Sequence, residues 1–85
     1  MIIVSQDRED IINFDNVKMI NREENRISVD ANFSKGDFYC IAEYATEERA
    51  KEVLKEISDA IESWEDLKAG QPSGIPRFKY CMPED

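Results

Sequence analysis

The stretch from Thr46 to Lys68 constrains the fold most, because it alone sustains one period over many turns. Ala50, Val53, Leu54, Ile57, Ala60, Ile61, Trp64 and Leu67 recur at spacings of three and four. That spacing places all eight on one stripe of an α-helix. Thr46 is the expected N-cap, since its hydroxyl can accept an N–H of the first turn. Glu47 and Glu48 complement the positive helix end, and Gly70 with Pro72 beyond it marks the stop. A helix through Lys68 would be about 33 Å long, more than a small sheet needs. Glu62, Glu65 and Asp66 have the wrong sign for a helix C-terminus. They imply either an earlier end or a nearby cation, for which Arg77 and Lys79 are candidates.

Before this helix the chain reads as short strands. Ile2–Val4, Ile11–Phe14 and Val17–Arg22 are rich in β-branched residues and separated by the turn signals Gln6–Asp10 and Asp15–Asn16. From Arg26 to Phe33, Ile27, Val29, Ala31 and Phe33 alternate with polar residues, so one face is expected in a core. Ser34–Asp37 is a hairpin loop with Gly36 at its left-handed position. In Phe38–Tyr44, Phe38, Cys40, Ala42 and Tyr44 form one face and Tyr39 and Ile41 the other, which predicts cover on both sides. After the helix comes a Gly/Pro loop, then Arg77–Met82, where Phe78, Tyr80 and Met82 alternate with Arg77, Lys79 and Cys81. This last stretch reads as an edge strand.

The expected fold is therefore α+β: an antiparallel meander of about five strands, one long amphipathic helix packed on it, and a short C-terminal edge strand. Residues 1–69 form the strand-and-helix domain, and residues 70–85 a tail docked as that edge strand. A chain of 85 residues makes one small domain that gains from oligomerisation.

The residues exclude more chemistry than they suggest. With no histidine, the commonest general base and nitrogen ligand are missing. Cys40 and Cys81 are too few for a zinc site, and neither has a histidine partner for nucleophilic chemistry. No phosphate-loop, dinucleotide, nucleophile-elbow or calcium-loop motif is present. With 19 acidic residues, chance carboxylate pairs such as Asp7 and Glu9 carry little weight. We expect no enzyme, no metal and no cofactor. A net charge of −8 disfavours direct nucleic-acid or anionic-membrane binding and permits a basic protein partner. No apolar run would span a membrane and no secretory signal is evident, so the expected location is a reducing cytoplasm with both thiols free.

Two surfaces stand out as candidates. Trp64 and Leu67, late in a helix that overhangs the sheet, and Met82 are expected at a subunit contact. Arg77, Phe78, Lys79 and Tyr80 could wall a ligand site, with flat rings for a base and cations for phosphates. Core closure is the plainer reading of the same aromatics.

The segments Met1–Asp7 (MIIVSQD), Asn13–Val17 (NFDNV), Glu43–Leu54 (EYATEERAKEVL) and Tyr80–Glu84 (YCMPE) resemble a family of small, functionally unassigned proteins of Gram-positive bacteria and their phages. The layout of strands, helix and tail is also similar to the Thoeris anti-defence sponge family of phage proteins. That resemblance implies a homo-oligomer that sequesters a cyclic nucleotide-type signal in pockets between subunits. The alternatives are an acidic inhibitor that occupies a basic groove, as some anti-CRISPR proteins do, or a structural or assembly accessory.

Overall fold

A computed structural model describes residues 1–31, 38–70 and 78–85. The hairpin loop Ser34–Asp37, the end of the fourth strand at Asn32–Phe33, the Gly/Pro loop and Arg77 lie outside the described residues. The architecture is the expected α+β. In chain order it comprises β1 (Ile2–Val4), β2 (Ile11–Asn13), a 3-10 turn (Phe14–Asn16), β3 (Val17–Glu23), β4 (Arg26–Ala31), β5 (Phe38–Glu43), α1 (Glu47–Ala69) and β6 (Lys79–Cys81).

The strands divide between two sheets. β3, β4 and β5 form an antiparallel meander, while β1 lies between antiparallel β2 and parallel β6. The parallel pairing of β1 with β6 needs the long crossover that α1 supplies. The Phe78 carbonyl accepts from the Ile2 N–H, and the Met82 N–H donates to the Val4 carbonyl, both at 2.9 Å.

The meander follows its sequence pattern. In β4, Ile27 is 0% and Val29 2% exposed, and they face the helix stripe of Ala50, Val53 and Ile57. β5 departs from strict alternation. A bulge shifts its register so that Ile27 pairs with Ala42 but Ser28 with Cys40. Ile41 and Ala42 are consequently both buried, while Phe38, Tyr39 and Cys40 are exposed. The extra residue turns the strand at that point, and Phe38 and Tyr39 before it stay about half exposed, at 48% and 54%.

Helix α1 begins and ends close to its signals. Thr46 Oγ1 accepts the Arg49 N–H at 3.1 Å. The Gly70 N–H closes the last turn on the carbonyls of Asp66 and Leu67, each at 3.2 Å. The terminal acids do not shorten the helix. The cation comes from within it, as Lys68 lies 3.2 Å from Glu65 and 5.3 Å from the Trp64 ring centroid. Lys79, the expected source among the described residues, forms no ion pair there.

Candidate functional site

The tail residues of the expected ligand wall turn inward or away. Phe78 is half-buried with its ring 6.0 Å from that of Trp64. Tyr80 is half-buried, and its hydroxyl donates to Glu56 Oε1 at 3.4 Å. Burial first, and then the Glu56 carboxylate, push the Tyr80 phenol upward, so it stays protonated. Lys79 points to solvent from the strand's other side, and Arg77 lies outside the described residues. Phe78 and Tyr80 thus pack against the core beside α1.

The expected interface residues separate as well. Met82 is 0% and Trp64 8% exposed, both covered by this chain alone. They are core residues and present almost no surface to another subunit. Of the three, Leu67 alone offers area, at 37% exposure. The thiols of Cys40 and Cys81 are free and exposed.

What tail docking builds is a clamp that sequence reading missed. The carbonyl of Met82 accepts from Arg8 Nη1 at 2.7 Å, and that of Pro83 from the Tyr44 hydroxyl at 2.9 Å. The carbonyl of Glu84 accepts from Gln6 Nε2 at 3.0 Å, and that of Asp85 from Arg49 Nε at 2.7 Å. Each carbonyl of the segment is therefore held by a different side chain. Burial is the main influence on the Tyr44 phenol and carries it to about 12, although Arg49 beside it pulls the other way.

Gln6 also finishes the free edge of β5. Its N–H donates to the Ile41 carbonyl at 2.9 Å. Its side-chain oxygen accepts the Glu43 N–H and its amide nitrogen donates to the Glu43 carbonyl, both at 2.9 Å. One residue thus imitates a neighbouring strand over the Ile41–Glu43 half of β5. The turn that aims Gln6 is held from inside. Ser5, 2% exposed, donates its hydroxyl to Asp7 Oδ1 at 2.6 Å and accepts the Asp10 N–H at 3.0 Å. Arg8 takes a left-handed φ of 65°, a conformation that costs a non-glycine residue of order 1 kcal/mol.

Asp7 supplies a pH test of this turn. The Ser5 hydroxyl, then the Glu9 N–H, hold its carboxyl below the usual range. A depressed folded value stabilises above the unfolded carboxylate pKa, and the effect is lost as pH falls through the folded value. Asp7→Asn is expected to remove that part of the acid-range loss of stability. Acid titrations of wild type and variant that run parallel would contradict the assignment.

An open apolar feature lies elsewhere, between α1 and β3. A groove of about 290 Å³ is lined by Phe14, Val17, Ile20, Leu54, Ile57 and Ile61, with Lys18 and Ser58 at its rim. Beside it runs the outer edge of β3, which no strand covers among the described residues. β2 and β6 also end their sheet but have three residues each, whereas β3 has seven. Met19, on this strand, is 51% exposed. Glu62 and Glu65 follow Ser58 and Ile61 by one turn on the same helix flank, and Glu23 and Glu24 stand at the far end of β3. The sequence signal for this site was the length of Val17–Glu23 with no following strand available for its outer side.

Comparison with protein-family models, with curated proteins and with solved structures finds no match. Among the described residues there is no group of three or more Cys, Asp or Glu side chains suited to a metal ion. None of the described helices is long and apolar enough to cross a membrane.

Proposed function

We propose that this protein is a non-enzymatic binding module whose working surface is the groove between α1 and β3 together with the open β3 edge. Its partner is a protein segment in extended conformation. The juxtaposition of an apolar groove with the outer edge of seven-residue β3, which no strand covers among the described residues, carries the reading. An added strand gains main-chain hydrogen bonds from the edge, and its alternate side chains enter the groove. Glu62, one turn beyond Ser58 on the helix flank beside the groove, favours a segment that places Lys or Arg among its apolar residues. In the phage or mobile-element setting that the resemblance implies, such a surface would block a host protein. That keeps the protein in the acidic-inhibitor class rather than among nucleotide sponges.

Sequestration of a cyclic nucleotide has less to rest on. Among the described residues Lys18 is the sole cation lining the groove, and phosphates need several donors. A thermal-shift panel of cyclic di- and trinucleotides is expected to leave the melting temperature unchanged. A reproducible rise of several degrees with any of them would replace this reading with the sponge.

The direct test is to pan a displayed library of eight-residue peptides on the immobilised protein. Enriched peptides should alternate apolar and basic residues and lose binding at least tenfold to Met19→Asp, a change at an exposed position. No enrichment, or peptides indifferent to that substitution, would overturn the proposal.

A further inference from the structure

Resting on that reading of the surface, we infer that the segment this site takes is the free C-terminal end of a protein chain, lying antiparallel to β3 with its terminal carboxylate at Lys18. The hydrogen-bond phase of the β3–β4 hairpin defines what the edge offers. Glu23 and Arg26 flank the loop Glu24–Asn25 and pair with each other. Residues that flank a two-residue loop exchange both main-chain bonds, and every second residue along the strand repeats that inward pattern. Asn21 opposite Ser28 and Met19 opposite Asp30 therefore bond to β4, whereas Arg22 and Ile20 turn their N–H and C=O groups to the outer edge. No other main-chain bond takes up these groups among the described residues. Ile20 also lines the groove. A residue laid opposite Ile20 would gain main-chain hydrogen bonds and place its side chain on the groove face.

Charge sets the direction and the end. Lys18 is the extra residue of the bulge between Val17 and Met19, so β4 leaves it unpaired. It is exposed, lines the groove, and has no ion-pair partner among the described residues. At the other end of β3, Arg22 is neutralised by Glu47 at 2.9 Å, while Glu23 is exposed and likewise without such a partner. The edge therefore runs from a cation at its start to an anion at its finish. An antiparallel strand brings its C-terminal end to Lys18, and a basic residue further back falls near Glu23. A parallel strand would reverse both matches. Before Val17 the chain is the 3-10 turn Phe14–Asn16, so the β3 edge stops beside Lys18. A segment that ends there uses the edge fully, and its carboxylate meets the one cation in the groove lining among the described residues.

The terminal carboxylate makes a direct test possible. Eight-residue peptides displayed with free C-termini are selected on the full chain. The tightest is then made as the free acid, as the C-terminal amide, and as a free acid extended by two glycines, and binding is read by fluorescence polarisation. At low salt the free acid should bind about three- to fivefold more tightly than either other form, the scale of an exposed ion pair. That preference should shrink at about 1 M salt. Lys18→Gln should abolish it and Lys18→Arg should keep it. Acid and amide within about twofold of each other, an extended acid that binds as well as the parent, or a preference that survives Lys18→Gln would each overturn the inference. The two proposals fail separately. Peptides that depend on Met19 but are indifferent to their C-terminal form leave a site for internal strands, whereas no selected peptide at all removes the site and this occupant with it.

Discussion

Replacing Met82 by Ala is expected to destabilise the protein by about 2–5 kcal/mol, the range for removing a long aliphatic side chain from a closed core. The side chain is fully buried, and its carbonyl is tied to Arg8 at 2.7 Å. The cavity therefore cannot collapse without disturbing the clamp. For a chain of this size each kcal/mol is worth roughly 4–8 °C, so the thermal midpoint should fall by about 10 °C or more. Total stability of small domains is itself only about 5–15 kcal/mol, so the loss is a large share. Met82→Leu, which keeps the volume, should cost less than about 1.5 kcal/mol. Urea unfolding followed by circular dichroism checks both. A loss below about 1 kcal/mol for the alanine variant would show that the tail does not close the core.

Trp64→Ala is expected to cost about 3–5 kcal/mol for the same class of reason. Trp64 packs against Phe78 and beneath Lys68, and is 8% exposed. This substitution separates two roles for the residue. As a core residue, its loss lowers the melting temperature equally at all protein concentrations. As a subunit contact, its loss would spare a dilute monomer and change only the concentration dependence. Melting curves at two concentrations a hundredfold apart should show the same large shift. A shift confined to the higher concentration would return Trp64 to an interface.

The candidate site was less legible than the fold. Phe78 and Tyr80 alternate with Lys79 in the sequence, and alternation correctly assigned a strand. It could not say which way the strand's apolar side would turn. An exposed pair would have made a ligand wall; the helix over them makes a core edge instead. Trp64 and Leu67 looked surplus to a short sheet because the tail was not counted among the things the helix could cover. The groove escaped notice for a related reason. Phe14, Ile20, Leu54 and Ile61 each fit a core pattern, and only the position of α1 across the meander leaves them lining an opening.

The clamp illustrates a harder limit. Gln6 and Arg8 sit in a run of charged and polar residues that reads as an ordinary turn. Their partners in the tail are the carbonyls of Glu84 and Met82, and carbonyls carry no sequence signal.

By itself the sequence determined the α+β class, the register of buried residues in β4, and the helix with its Thr46 cap and Gly70 stop. These depend on local spacing and on groups within a few residues of one another, so short-range physical chemistry suffices. The tertiary structure alone decided that the strands split into two sheets and that β6 runs parallel to β1. It also decided that Trp64 and Met82 are core, and that Gln6 occupies the Ile41–Glu43 edge of β5 while no strand among the described residues covers the outer edge of β3. Each of those turns on which residues distant in the chain compete for the same helix face or strand edge, and the free energy of that competition is set only when all of them are in place.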